Sequence, residues 1–270
     1  MMGATPVSRS GGAERVQKVL SRLGLASRRE AEDWIRAGRL TVNGQTAALG
    51  MRIAPQDQLK LDGRLIRQGA KRSTSDSPKV FLCHRSPGEL LLPVRRGSLS
   101  SGKTGASTSM AERLPRRAGR RFVSISPLPA IDGGLELLSA DGALAARLQR
   151  AVRGLESEFS LRVRGELSTE QQQAIRHGTL DRGPAIKVVL LEPSGGEGSN
   201  RWYRLCAAGA SGHEIRQLTE RAGVTLVRLL RTRLGTLELP RVLPRSHSRA
   251  LSEPELELLL RGSPASRPVD

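Results

Sequence analysis

Two apolar stripes at helical spacing, followed at once by a hairpin signal, constrain the fold of the N-terminal part of this chain. The first stripe recurs at i, i+3, i+4 and i+7 within residues 14–23, which predicts a helix with one buried face. A capping box formed by Ser27 and Glu30 predicts that a second helix begins there. Asn43-Gly44 is the strongest short signal for a hairpin turn. The pattern therefore predicts a small module of two helices and short hairpins over residues 14–67.

The segment that follows, 68–78, is polar, basic and rich in turn residues, so we interpret it as a linker. We expect a larger domain over 79–262, with a mobile loop at the Ser- and Gly-rich stretch 95–111 and a disordered tail at 263–270. Strands are predicted near residues 80–82, 135–138, 161–163, 186–191 and 203–206, and helices over 142–150, 168–176 and 213–222. Because strands and helices mix without a regular βαβ repeat, the prediction is an α+β fold with a mixed, largely antiparallel sheet.

The charge of the chain indicates its partner. Lys and Arg number 44 against 26 Asp and Glu, which gives a net charge of +18. Such an excess attracts a polyanion, since Lys and Arg release the counterions condensed on phosphates. Residues 14–72 hold 13 Lys/Arg against 6 Asp/Glu. The RNA-binding residues that we predict lie on or beside the two N-terminal helices: Lys18, Arg22, Arg28, Arg29, Arg36 and Arg39.

Other partners are less favoured by the sequence. No stretch of about 18 apolar residues suggests a membrane span, and residues 1–13 have no apolar core of a secretory signal. Cys83 and Cys206 lie far apart and without a metal-binding motif, which fits a reducing cytoplasm and predicts neither a disulfide framework nor a metal or other cofactor. We expect a cytoplasmic monomer.

Three N-terminal segments carry a resemblance to a known family. They are the runs 16–20 (VQKVL), 26–31 (ASRREA) and 38–44 (GRLTVNG), and they resemble the α-L RNA-binding domain. That resemblance implies a module that docks its two helices on structured RNA and recognises shape and backbone more than base sequence.

The larger domain resembles the bacterial ribosomal-RNA pseudouridine synthases, most of all those that act on large-subunit RNA. The resemblance rests on the runs 80–85 (VFLCHR), 135–145 (LELLSADGALA), 159–165 (FSLRVRG), 195–203 (GGEGSNRWY) and 228–233 (RLLRTR). It implies a fold built on a mixed sheet, a ribosomal-RNA partner, and isomerisation of a flipped uridine beside an essential Asp carboxylate.

The segment that should carry this Asp departs from the family's pattern. Family members place the Asp in a Gly-Arg-Leu-Asp run just before a Gly-Leu-Leu-Leu strand, and without gaps that run falls on residues 126–129. Pro129 then occupies the catalytic position, and proline offers no carboxylate. Phe159 stands where the family usually has a tyrosine in the substrate cleft, so the hydroxyl is absent and the ring is kept.

Two further residues bear on the cleft. Asp132 is the candidate for a substitute carboxylate, although its neighbours Gly133 and Gly134 favour an ordinary turn aspartate. Arg216 retains the basic residue that pairs with the Asp in active members, and with Pro129 in place of the Asp we expect it to lack that partner. His213 has no evident carboxylate partner and is expected to be structural or exposed.

The sequence therefore favours a binder of structured ribosomal RNA, from the large subunit, with isomerase activity weak or absent. Two alternatives remain open at this point. One is an active pseudouridine synthase in which Asp132 supplies the carboxylate. The other is an RNA or DNA chaperone that depends on charge alone.

Overall fold

A computed structural model describes residues 13–66, 79–93, 108–115, 121–178, 180, 186–196 and 198–262. The chain divides into two compact units between Ser77 and Pro78. No helix within the described ranges is long and apolar enough to cross a membrane.

The N-terminal unit contains the predicted helices and hairpin. Its helices are α1 (Val16–Arg22) and α2 (Arg28–Arg36), and its strands are β1 (Glu14–Arg15), β2 (Leu40–Val42), β3 (Gln45–Thr46), β4 (Arg52–Ile53), β5 (Leu59–Leu61) and β6 (Arg64–Ile66). The order β3-β2-β5-β6 forms one antiparallel sheet, and β1 pairs with β4. Asn43 and Gly44 both have positive φ, as a two-residue hairpin of this composition requires. The apolar stripes of both helices pack on β2 and β5 in one core.

The second unit is built on a single large sheet. Its strands are β7 (Val80–Arg85), β8 (Val123–Ile125), β9 (Gly133–Ser139), β10 (Glu156–Arg164), β11 (Lys187–Gly195), β12 (Asn200–Ala208), β13 (Leu226–Leu234), β14 (Leu237–Glu238) and β15 (Ser248–Ala250). Its helices are α3 (Met110–Arg113), α4 (Gly142–Ala151), α5 (Thr169–His177), α6 (Gly212–Arg221) and α7 (Glu253–Arg261). The mixed α+β architecture predicted from the sequence is confirmed.

The sheet runs in the order β11-β12-β10-β13-β9-β7-β15, and β13 and β9 form its parallel pair while the other neighbours along this path are antiparallel. Glycine makes the parallel pairing possible. A Cβ at Gly134 would lie 2.3 Å from the carbonyl oxygen of Arg231, and Gly134 has φ of +97°. The two halves of the sheet therefore meet where β9 carries no side chain.

Helices cover the two faces of the sheet unequally. On the first face, α5 and α6 pack over Phe159, Leu161 and Leu229. On the second face, α4 and α7 pack over Leu135 and Leu137. The registers of β10, β13 and β9 place Arg231, Gly134 and Glu136 on the first face with Phe159. The first face thus carries the residues that the sequence assigns to the cleft.

Three predicted segments fall wholly or largely outside the described residues. The linker 68–78 lies wholly outside them, as does the tail 263–270. The predicted loop 95–111 is described only from residue 108. There Met110 and Ala111 begin α3 and are buried against β7, so the end of this segment is helical rather than a loop.

Candidate functional site

The start of α2 presents two uncompensated cations. Arg28 and Arg29 are exposed in the first turn of this helix, directly after the capping box of Ser27 and Glu30. Within the described part of the chain, neither arginine has an ion-pair partner. The free N–H groups and the dipole at a helix N-terminus favour an anion at the same place. This end of α2 is therefore suited to contact a phosphate.

The other four predicted RNA-binding residues lie in exposed ion pairs. Lys18 and Arg22 contact Glu14 at 2.7 and 3.0 Å, and their charges hold the pKa of the Glu14 carboxyl below its usual value.

Arg36 contacts Asp33 at 2.9 Å. Arg39 pairs with Asp62, lowering the pKa of that carboxyl, and its guanidinium lies 5.5 Å from the centre of the Trp34 ring. Exposed pairs contribute at most about 1 kcal/mol, so phosphates can compete for all four cations.

The N-terminal unit has two further exposed cations that are not among the predicted RNA-binding residues. Arg15 and Arg52 are Cα partners in the β1–β4 pair, and both side chains are exposed. Like charges directly opposite on a strand pair destabilise it. Local sequence patterns do not predict that Arg15 and Arg52 are neighbours, because the strand pairing joins residues that lie far apart in the sequence.

In the second unit, residues 126–132 form a tight loop against the start of α6. The Asp132 N–H donates to the carbonyl oxygen of Pro129 at 3.0 Å, which closes a turn. Gly212, the first residue of α6, lies beneath the loop, and a Cβ there would be 2.7 Å from Leu128 Cδ2. The loop and the helix therefore pack in direct contact.

Asp132 and Arg216 form a buried ion pair at this contact. The Arg216 Nε donates to Asp132 Oδ2 at 2.8 Å, and its Nη2 donates to the other carboxylate oxygen. The Asp132 side chain is 0% exposed and that of Arg216 is 22% exposed. Two sequence-based expectations are thus wrong: Arg216 does have a carboxylate partner, and Asp132 is in a turn but is not an ordinary solvated turn residue. The sequence predicts the turn at Asp132, but it gives no local signal for a contact with Arg216, which lies 84 positions away.

A second buried charge cluster holds the same loop from beneath. Glu136 on β9 accepts from the Arg85 Nε at 3.1 Å and from the Arg231 Nη2 at 3.4 Å, and all three side chains are at most 1% exposed. Burial raises the pKa of the Glu136 carboxyl, whereas the charges of Arg231 and Arg85 lower it. The net result is a pKa above the usual value for this carboxyl, and the two arginines and the backbone N–H of Leu128 oppose that shift.

The two arginines of this cluster donate to the carbonyl groups of the loop. Arg85 donates to the carbonyls of Leu128 and Pro129 at 3.1 and 2.8 Å. Arg231 donates to the carbonyl of Ser126 at 2.8 Å. The cluster therefore fixes the backbone of the loop to the sheet. This cluster was not predicted, although Glu136 stands where the resemblance implies a Leu and so gave a signal in the sequence.

Phe159 and His213 have different surroundings. Phe159 is 0% exposed in the core between the sheet and α5 and α6, so its ring lines no open surface. The expectation that it faces the cleft is not met. His213 is exposed on α6 beside Gln217, as expected of a histidine without a carboxylate partner. The described residues contain no group of three or more His, Cys, Asp or Glu side chains that could hold a metal ion.

Comparisons with known proteins place both units. Residues 14–59 match the S4 domain family. Ribosomal large subunit pseudouridine synthase B of Pseudomonas aeruginosa is 33% identical over 247 residues, which cover 91% of this chain and 61% of that protein. The protein of the same name from Salmonella typhi is 35% identical over 236 residues, covering 86% of this chain and 77% of the relative.

The chain belongs to the ribosomal large subunit pseudouridine synthase B family.

The fold agrees with this assignment. A protein described as pseudouridylate synthase superposes with a TM-score of 0.54 at 18% identity, over 91% of this chain and 99% of that one. The N-terminal helix–helix–hairpin module corresponds to the matched S4 domain. In this member of the pseudouridine synthase B family, Pro129 is half-buried in the loop and Asp132 is closed off by Arg216.

Proposed function

We propose that this protein binds structured large-subunit ribosomal RNA and that its pseudouridine synthase cleft is catalytically silent. The N-terminal module supplies sequence-independent contacts to the RNA backbone, through Arg28 and Arg29 above all. The second unit contributes a family scaffold without a free carboxylate. We place the protein in the cytoplasm. Burial within the protein raises the pKa of the Cys83 thiol and keeps that thiol unreactive.

One observation carries the catalytic part of the proposal: the loop presents no accessible carboxylate. Isomerisation requires an Asp beside a flipped uridine, and residue 129, at the expected position, is Pro. Asp132 has both oxygens bound by one guanidinium and is 0% exposed. To reach a nucleotide it would have to leave Arg216 and cross the packed contact between the loop and Gly212. The hydrogen bonds that Arg85 and Arg231 donate to the carbonyl groups of the loop oppose that movement.

A second candidate function is an active ribosomal-RNA pseudouridine synthase that uses Asp132. The observation in its favour is the Asp132–Arg216 pair itself, because the resemblance implies an Asp paired with this basic residue in active members. In this reading, RNA binding rebuilds the loop and exposes the carboxylate. Arg216, at 22% exposed, would be the first of the pair to meet the RNA.

A single-turnover assay separates the two functions. Protein in excess over unmodified large-subunit ribosomal RNA is incubated, and pseudouridine is mapped at single-nucleotide resolution. We expect no new pseudouridine from the wild-type chain. Stoichiometric conversion that Asp132→Asn abolishes would overturn the silent cleft and establish the second candidate. Glu257→Gln, which removes a carboxylate from an exposed pair on α7, is the matched control.

A binding assay tests the RNA contact. Replacing Arg28 and Arg29 with Ala is expected to weaken binding to a ribosomal-RNA fragment about tenfold at moderate salt, and to reduce the salt slope by about 1.8. Arg150→Ala/Arg261→Ala, which removes two exposed cations from α4 and α7, is the charge-matched control. Equal losses in both double variants, together with equal competition by duplex DNA, would instead indicate a chaperone driven by charge alone.

A further inference from the structure

The second face of the large sheet carries a cluster of arginines around a tryptophan, away from α4 and α7. Arg162 on β10 is the Cα partner of Trp202 on β12 and of Arg228 on β13, so these three side chains form one row across the sheet. Arg164, two residues further along β10, is exposed on the same face. We call Arg162, Arg164, Trp202 and Arg228 the Arg162 patch.

The charges of the patch are not compensated by acidic groups. Within the described part of the chain, Arg162, Arg164 and Arg228 have no ion-pair partner, and the Arg162 Nε is buried without a hydrogen-bond partner. The next rows differ. Arg204 contacts Glu192 at 2.9 Å, and Arg233 is paired with Glu156. The excess of positive charge is therefore confined to one end of this face.

The arrangement is unfavourable for the free protein. Arg162 and Arg228 are directly opposite each other, and like charges in such positions destabilise a strand pair. A polyanion lying across the row would relieve the repulsion. Trp202 adds an apolar platform beside the charges, and the Arg162 guanidinium lies 6.0 Å from the centre of its ring. The bases of a single strand stack on flat aromatic or guanidinium surfaces, and its phosphates bind cations. The patch offers both kinds of contact.

We propose that the Arg162 patch binds a single-stranded segment of RNA, with phosphates on Arg162, Arg164 and Arg228 and a base against Trp202. The inference rests on the proposed RNA binding and adds a contact surface to it. The patch is separate from the loop and cleft, because Arg216 and α6 pack on the first face of the sheet whereas the patch lies on the second. It would hold RNA that flanks the structured element bound by the N-terminal module.

Tryptophan fluorescence tests this surface directly. The chain has two tryptophans, so Trp34→Phe leaves Trp202 as the single reporter. Titration of this variant with a short single-stranded oligouridine is expected to quench the emission saturably. Adding Arg162→Ala and Arg228→Ala should weaken that binding about tenfold or more and reduce the salt slope by about 1.4. Arg261→Ala, an exposed cation on α7, is the charge-matched control and should leave the quench unchanged.

Two results would overturn the patch without touching the proposed function. The first is an unquenched Trp202 in a protein that still binds the ribosomal-RNA fragment through Arg28 and Arg29. The second is equal quenching by poly-glutamate, which would indicate an acidic protein partner. Arg164→Ala, which removes an exposed charge of the patch and should by itself weaken binding, keeps the test valid if the double alanine variant unfolds. Loss of all RNA binding in wild-type protein would instead refute the proposed function.

Discussion

The guanidinium of Arg85 joins the carboxylate of Glu136 to the carbonyl oxygen of Pro129, at 3.1 and 2.8 Å. One buried side chain thus connects strand β9 with the loop that carries Pro129. The loop conformation therefore depends on charges in the sheet as well as on its own prolines.

Removing Glu136 should destabilise the second unit strongly. Glu136→Leu installs the residue that the family resemblance leads one to expect, but it leaves Arg85 and Arg231 buried without their carboxylate. We expect a loss of about 3–5 kcal/mol in the free energy of unfolding, measured by denaturant titration. Glu257→Leu is the control, since its exposed pair with Arg261 contributes at most about 1 kcal/mol. Equal stability of the two variants would show that the cluster does not hold the fold.

Restoring a carboxylate at residue 129 should not be sufficient for catalysis. In Pro129→Asp, the new carboxylate would find Arg216 already occupied by Asp132, and misplacement by about 1 Å costs about a hundredfold in rate. We expect little pseudouridine from this variant under single-turnover conditions. Adding Asp132→Asn frees Arg216 and should raise the yield, and adding Ser126→Gly with Pro127→Arg should raise it further. Ala130→Asp in place of Pro129→Asp in the same combined variant is the control for a carboxylate at the wrong position, and an equal yield from the two combined variants would contradict the placement.

The attachment of α7 should weaken in acid. Arg249 donates to both oxygens of Glu255 at 2.9 and 2.6 Å, and this hydrogen bonding lowers the pKa of Glu255 to about 2. A depressed folded-state pKa contributes stability above the unfolded value, near 4.5, that is lost as the pH falls toward 2.

Because the pair is partly exposed, we expect about 1 kcal/mol at neutral pH. The difference in unfolding free energy between wild type and Glu255→Gln should shrink as the pH falls from 6 to 3. A difference that stays constant over this range would show that the pair with Arg249 does not lower the pKa of Glu255.

The parallel junction of the sheet should not accept a side chain. Gly134→Ala would place a Cβ against the backbone of Arg231 and would have to adopt positive φ, so we expect a large loss of thermal stability. Gly142→Ala is the matched control, since nothing lies within 4 Å of a Cβ there and residue 142 starts α4. That control should be neutral or slightly stabilising. A tolerated Gly134→Ala would mean that β9 and β13 are further apart than described.

Local sequence patterns predicted many of the individual helices, strands and turns. The capping box at Ser27, the Asn43-Gly44 hairpin, and five strands and three helices of the second unit appear where spacing and turn residues placed them, whereas the central strand β13 and helix α7 were not predicted. These patterns did not predict contacts between residues that are distant in the chain. Asp132 meets Arg216, and Arg85 meets Glu136, only because the sheet order brings separate strands together. Charged residues with no local partner give no signal of where their partners lie.

The pairing of β15 with β7 has a consequence for synthesis of the chain. These strands are neighbours in the sheet, yet the contact between His84 and Leu243 beside them spans 159 residues. While the chain emerges from the ribosome, β7 is made first among the strands of this unit, and its outer edge has no hydrogen-bonding partner until residue 250 has been translated. An unpaired edge with apolar neighbours is a template for association between nascent chains. Ribosomes that pause before residue 250 has been made would therefore hold an aggregation-prone intermediate.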